Sequence, residues 1–304
     1  MAEQKTINRL NQIRPGTNII FNIILLLFAL ACIVPFLIVI GISITNEESI
    51  QKIGYQIIPS ELSGKAYTFL WNERSTILRA TAVSLGVTVI GTFVGVMLTA
   101  MMGYVISRQD YILKPFLIWV IFIPMIFSGG LVASYVINIR LLHFKNNYLA
   151  LILPLLVSSF NVTIAKTFFR TTIPDSIIES AKIDGANQLL IFRKIVLPVS
   201  LPVLATLGLF MSFGYWNDWF LSMLYINDTK MYSLQYLLQQ IVMNVEFLAK
   251  NPAIGASAQE YVNSMPKESV RMAIAVVIVL PIALAYPFFQ KYFVSGLTIG
   301  AVKG

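Results

Sequence analysis

Residue types that ordinarily do chemistry are scarce in this chain. It has one histidine, His143, and one cysteine, Cys32, which leaves little for a zinc site. Cys32 sits in an apolar run and has no second cysteine for an intrachain disulfide. Ser128-Gly129-Gly130 and His143 invite a Ser–His dyad reading. No G-x-S-x-G or H-E-x-x-H pattern supports it, and Ser128 beside two glycines reads more simply as a loosened helix segment. No G-x-x-x-x-G-K-[ST] phosphate loop occurs either. What remains is Asp218, with 23 uncharged residues before it back to Lys194 and nine after it. A charge inside so apolar a run is costly, so a functional role is its default reading. Trp216, Asn217 and Trp219 beside it are the aromatic and amide groups that sugar recognition favours. Direct sugar contact and a helix-packing or gating role are both open for Trp216, Asn217 and Asp218. Tyr215 and Tyr225 are ambiguous in the same way, because aromatic residues gather at membrane interfaces in any case.

The elements that carry these residues follow from composition. Of the 304 residues, 57% are hydrophobic and 12% charged, with a mean hydropathy of +0.76. Soluble domains average about 45–50% apolar and ~25% charged, so the chain is a membrane protein. A soluble enzyme, a disordered chain and a disulfide-stapled secreted domain are excluded. Gaps between charges locate the spans. Arg14 to Glu47 leaves 32 uncharged residues, Arg79 to Arg108 28, Lys114 to Arg140 25, Lys145 to Lys166 20 and Arg271 to Lys291 19. With the Asp218 run these make six segments near the ~20 residues a helix needs to cross a bilayer. Spans are expected near Thr17–Ile44, Thr76–Ser107, Pro115–Ile137, Tyr148–Ala165, Leu204–Ile226 and Val270–Tyr292. The first is too long for a cleaved signal peptide and lacks a small-residue cleavage site.

Six spans place both termini on one side. With that side cytoplasmic, Lys and Arg divide 12 inside and 10 outside, and the acids 5 inside and 9 outside, in the sense of the positive-inside rule. The net charge of +8 reflects this bias. No basic cluster with interleaved aromatics points to nucleic acid. The division is then a cytoplasmic segment 1–16, a transmembrane domain 17–292 and a cytoplasmic tail 293–304. Pro35, Pro124, Pro154, Pro281 and Pro287 fall within or at the ends of spans, where neighbouring helices can re-satisfy freed backbone groups. Gly91 and Gly95 form a G-x-x-x-G pair, with Gly103 two turns later; such spacing lets helices approach closely.

The most informative stretch is cytoplasmic. Ser176 and Glu179 fit an S-x-x-E capping box opening a short helix. Gly185 stands where a left-handed cap suits glycine. A second helix is expected from about Asn187 to Val196, and Pro198 and Pro202 mark the entry to the fifth span. Ile177, Ile178, Ala181, Ile183, Ala186, Leu189, Leu190 and Phe192 offer more apolar surface than such a hairpin buries internally. Some of it should face another protein or the membrane.

This segment, 174–198, resembles the E-A-A loop of ABC importer permeases: E-A-A, three residues, G, nine residues, I-x-L-P. Here the matching residues are Glu179-Ser180-Ala181, Gly185, Ile195, Leu197 and Pro198. Ser180 replaces the middle alanine with a residue of similar size. Ile183 to Ala186, I-D-G-A, looks like the carbohydrate-uptake branch. Trp216-Asn217-Asp218 resembles the W-N-D/E signature of maltose-permease G-type subunits. Gly296 to Gly304 resembles their G-L-T-x-G-x-V-K-G ending, and Met231 to Gln240 resembles a Gram-positive subgroup associated with complex oligosaccharides. The resemblance covers about the whole chain.

It implies an all-α, polytopic, six-helix type I ABC importer permease fold with a cytoplasmic coupling helix. It implies a non-catalytic bacterial plasma-membrane subunit of an ATP-driven importer for carbohydrate, an oligosaccharide. Glu179, Ser180, Ala181, Asp184, Gly185 and Ala186 would form the element that docks on the ATPase; a plain interfacial hairpin is the alternative. Thr298, Gly300, Lys303 and Gly304 would carry the tail into the ATPase dimer interface; a disordered terminus is the alternative. The chain itself would hold no cofactor and no metal, since ATP and magnesium belong to the ATPase. The implied partners are a homologous second permease forming a heterodimer, a cytoplasmic ABC ATPase dimer, an extracytoplasmic lipid-anchored solute-binding protein and membrane lipid. The outer segment 227–269, with Asn251-Pro252 and Met265-Pro266 as breakers, would reach towards the binding protein. An ion-coupled secondary carrier of a small polar solute is the competing class. Such carriers usually bring several intramembrane acids or broken midplane helices, whereas Asp218 stands alone in the spans.

Overall fold

The computed structural model describes residues 15–250 and 266–301. Its regular elements there are helical, apart from one isolated antiparallel bridge between Thr45 and Leu62. In chain order the α-helices are α1 (Pro15–Ser43), α2 (Glu47–Ile53), α3 (Lys65–Asn72), α4 (Arg74–Ser107), α5 (Lys114–Ile126), α6 (Leu131–Val136), α7 (Leu149–Ile152), α8 (Ser159–Thr172), α9 (Asp175–Ile183), α10 (Gln188–Ile191), α11 (Leu197–Val199), α12 (Leu201–Trp216), α13 (Phe220–Tyr225), α14 (Leu234–Lys250) and α15 (Lys267–Ala301).

Two of these, α1 and α4, are long and apolar enough to cross a membrane unbroken. The expected third, fourth and fifth spans are each broken. The third bends by 116° between α5 and the segment Leu131–Leu141, the fourth by 50° between Leu149–Leu155 and α8, and α12 meets Gln188–Val199 at 81°. The breaks have local causes. Gly130 takes φ +80° and its N–H donates to Ser128 Oγ at 3.3 Å, so the Ser-Gly-Gly run is a turn and the serine hydroxyl is engaged there. Residues Ile137–Leu141 wind as a π-helical turn, and His143 beyond it has φ +54°. The fifth span does not run continuously to Ile226. It ends at Trp216 and restarts at Phe220. The last helix runs through Ala301, past residue 293 where the tail is expected to begin.

The chain divides into two compact units. The first takes residues up to Trp71 and the segment Leu248–Val277. Within it the most apolar window of α1 has no buried residue, and burial begins only at Gly41–Ser43; such an exposed surface suits lipid or another helix. Gly41 packs so closely on the Ile57 carbonyl that a Cβ would collide with it. The Glu47 carboxylate accepts from Glu268 N–H at 3.0 Å and from Ser269 N–H and Oγ at 3.2 Å each. An acid there meets the unpaired N–H groups and positive dipole end of α15.

The second unit, Asn72–Phe247 with the chain from Ile278 onward, is built on α4. Val96, Ala100 and Tyr104 of α4 share one buried cluster with Ala165 and Phe169 of α8 and Val203, Leu207 and Met211 of α12. The glycines expected at a close crossing stand at one. A Cβ on Gly91 would meet the Tyr215 ring, one on Gly95 would meet Met211, and one on Gly103 would meet Ala165 Cβ at 2.6 Å. The G-x-x-x-G pair is therefore a packing device, as small residues between membrane helices usually are.

Candidate functional site

Between α8 and α12 the chain forms an elbow, closed by backbone hydrogen bonds at Gly185. Pro174 precedes α9 and Asp175 occupies its first turn. The expected Ser176–Glu179 capping box is not used, because α9 opens one residue earlier and Ser176 is already helical; no side chain caps this end. Ser180 Oγ bonds back to Ser176 O at 2.9 Å. At the other end Gly185 takes φ +81°. Gly185 N–H donates to Lys182 O at 3.0 Å and Ala186 N–H to Ala181 O at 2.9 Å. That is a Schellman closure, which needs a residue free to adopt the left-handed region. Asn187 then caps α10, its side chain accepting from Leu190 N–H at 2.8 Å. The chain continues through a π-helical turn, Phe192–Val196, into α11.

The elbow has two faces. Ile178, Ile191 and Phe192 are buried in the same cluster as the spans, with Ala181 and Ala186 packed against it. Ile183 and Leu189 are 86% and 72% exposed. Ile177 and Leu190 are exposed beside them, and Glu179, Ser180, Asp184 and Gly185 are exposed too. So the residues expected to dock stand together at the bend, ringed by aliphatic side chains that the chain leaves uncovered.

Sequence reasoning did not single out the contacts that hold this elbow. Arg108, immediately after α4, is 7% exposed. Its Nη1 donates to Asp175 Oδ1 at 2.7 Å, its Nη2 to Phe169 O at 3.3 Å and its Nε to Ser107 Oγ at 3.2 Å. Its guanidinium carbon lies 5.4 Å from the Tyr104 ring centre, within cation–π range. Lys182 Nζ meets Asp110 Oδ2 at 2.7 Å. This hydrogen bond holds the Asp110 carboxyl below its ordinary range and raises Lys182. Tyr104 OH donates to Gln188 Oε1 at 3.3 Å. The available signal was spacing: Asp175 and Lys182 are seven residues apart, two turns on one helix face, and Arg108 and Asp110 carry the complementary charges in the same order.

The Trp216-Asn217-Asp218 segment is a helix break. Asn217 Nδ2 donates to Phe213 O at 2.9 Å, and Asp218 Oδ2 accepts from Leu221 N–H at 3.2 Å. These side chains close one helix and open the next, which is how the fold tolerates an acid here. Trp216 is buried, with its indole N–H on Ile278 O at 3.2 Å. It lines an apolar cavity of about 650 Å³ together with Thr88, Thr92, Ser212, Pro281 and Tyr286. The Oγ1 atoms of Thr88 and Thr92 are buried there without a hydrogen-bond partner among the described residues. Asn217 and Asp218 are not in the cavity wall.

Thr298 and Gly300 fall within α15, whereas Lys303 and Gly304 lie outside the described residues. Of the expected outer segment, Asp228 caps a short turn by accepting from Lys230 N–H at 2.9 Å, and α14 follows. Asn251-Pro252 and Met265 lie outside the described residues. No group of His, Cys, Asp and Glu suited to a metal occurs among the described residues.

Residues 91–299 match the family described as binding-protein-dependent transport system inner membrane component. The chain is 40% identical to the polygalacturonan/rhamnogalacturonan transport system permease protein YtcP of Bacillus subtilis (strain 168), over 92% of this chain and 96% of that one. It is 37% identical to protein LplC of the same organism, over 90% of both. Among solved structures, a chain of a bacterial ABC transporter involved in the import of the acidic polysaccharide alginate matches with a TM-score of 0.77. That match covers 93% of this chain and 99% of the other at 24% identity, and it shows the fold.

Proposed function

The chain belongs to the binding-protein-dependent transport system inner membrane component family, as a non-catalytic permease subunit of an ABC importer, and from that premise we propose which residues couple it to its partners and what it carries. The docking element is the elbow: Glu179, Ser180, Ala181, Asp184, Gly185 and Ala186 seat in the cytoplasmic ABC ATPase dimer. One observation carries this reading. Ile183 and Leu189 stand largely exposed at a bend that the Gly185 and Ala186 N–H groups close on Lys182 O and Ala181 O. An aliphatic knob on a stiff support can receive and pass on a rigid-body movement.

Both termini are cytoplasmic, and 1–16, 17–292 and 293–304 are the N-terminal segment, the permease domain and the tail. The tail residues Thr298, Gly300, Lys303 and Gly304 meet the ATPase dimer. A homologous but different permease completes the transmembrane pathway, and a lipid-anchored binding protein delivers the solute to the outer segment 227–269. ATP and magnesium are held by the ATPase, whose hydrolysis supplies the drive. The cargo is an oligosaccharide. Fragments of polygalacturonan and rhamnogalacturonan are the first probes, because the 40%-identical relative carries those names. Trp216 contributes to the pathway wall from the cavity side, while Asn217 and Asp218 hold the helix break next to it.

The test is co-purification in mild detergent from the native host. One homologous permease and a phosphate-loop ATPase should stay bound. Recovery of the chain alone, in a preparation that keeps other ABC complexes intact, would sink the heterodimer model.

A further inference from the structure

The residues that bracket the elbow are not those that would dock it. Helix α9 is held at both ends by two of the three residues that follow α4, Arg108 and Asp110. Its first turn is fixed by Asp175 to Arg108 and its last turn by Lys182 to Asp110, each pair at 2.7 Å. Arg108 cannot leave without cost. It is buried, it is bound to Phe169 O and Ser107 Oγ as well as to Asp175, and a buried guanidinium without its carboxylate is strongly disfavoured. Between the two pairs Ile178, 3% exposed, fills the core beneath the same face. Three contacts along two turns of one helix fix its position and its direction relative to α4. A single contact would leave it free to pivot.

We propose that Arg108 and Asp110 are positioning residues that make α9 a rigid extension of α4, so that a displacement of the elbow moves α4 as one body with it. The wall of the 650 Å³ cavity includes Thr88, Thr92 and Val96 of α4, so a movement of α4 moves that wall. Towards α12 the path runs through a π-helical turn and an 81° bend. This inference rests on the reading of the elbow as the ATPase-docking element, since it is the ATPase that would displace it.

The experiment measures a distance within this chain, in the complete complex with its partner permease, ATPase and binding protein. Cys32 is replaced by serine, and spin labels are placed at Ser176→Cys on α9 and Leu78→Cys near the start of α4; both native residues are exposed. Double electron–electron resonance is recorded without nucleotide and after trapping with magnesium, ATP and vanadate. With the native pairs the distribution should be narrow and should peak at the same distance in both states. With Lys182→Asp, or with Arg108→Gln, it should broaden, and its peak should shift on trapping. The swap Asp110→Lys with Lys182→Asp restores an exposed pair without disturbing the core, and should return the narrow, unshifted peak. That rescue separates positioning from general loss of structure. Variants that keep a narrow, unshifted peak would overturn the proposal, as would a shift in the native chain. The docking reading fails on a different result, retention of the ATPase by a Glu179→Lys complex, which leaves this within-chain distance unaffected.

Discussion

The elbow at Gly185 and the break at Asp218 are both places where a helix stops and another begins, yet they are built differently. At Gly185 the backbone closes on itself through a left-handed residue. Asn187 caps the helix that follows, and Ile183 and Leu189 are left exposed. At Asp218 side chains add to the backbone closure, Asn217 on the helix that ends and Asp218 on the helix that begins. Trp216 there is buried. A bend closed by backbone leaves its side chains free to meet a partner. A bend that uses its side chains leaves fewer groups to recognise one. We propose on this comparison that the Trp216-Asn217-Asp218 segment serves chiefly as a structural joint and that the elbow, which holds no reactive group, makes the contact.

Substitutions at the two bends should separate these roles. The largest effect is expected at the elbow itself. Gly185→Pro, which cannot take φ +81°, and Glu179→Lys should leave the chain in the membrane while transport falls to background; transport that survives both would remove the elbow's role. Next comes Asp175→Asn, which strips the buried Arg108 of its carboxylate. Asp175 is more than half exposed, so a loss of about 1–2 kcal/mol is expected, less than the ~3–5 kcal/mol of a fully buried pair. A thermal unfolding shift in detergent, absent in Asp175→Glu, would check it. Asp218→Ala should cost about 1 kcal/mol, as the loss of a helix cap does. It should leave ATPase binding intact, and a lost ATPase would show that the two bends are not distinct in role.

The smallest effect concerns pH. Asp110 is held below its ordinary 3.8 by Lys182, so its stabilising contribution is complete above that value and is lost as pH falls through the lowered one. Lys182 is raised above 10.5, so its contribution is complete below 10.5 and is lost as pH rises through the raised value. Between about pH 5 and 9 the pair should add no slope to stability. A melting temperature that differs between native protein and Lys182→Met by an amount varying with pH in that window would contradict this.

The sequence located α1 and α4 because length without charge is a direct consequence of the bilayer, whereas the described residues hold two unbroken spans, or five if each bent pair is one, against the six expected. α1 and α4 lie within two residues of the expected limits. Hydropathy reports only that a segment is apolar and says nothing of its direction, so the 116° bend after α5 and the break at Asn217 were not visible in it. Gly185 was legible because one conformation there favours one residue type. The capping box was misread because Ser176 fits the pattern equally well one position inside the helix. Arg108 and Asp110 passed as ordinary charges of a short inner loop. Their roles depend on Asp175 and Lys182, 67 and 72 residues further on, and no local pattern connects them.

The most direct measurement of the central claim sets the two bends side by side. The tagged chain, native or carrying Glu179→Lys, Gly185→Pro or Asp218→Ala, is purified with its complex, and the bound ATPase is quantified against the partner permease. The elbow variants should retain the permease and lose the ATPase, with Asp218→Ala retaining both. ATPase bound to the elbow variants at the native ratio would contradict the account.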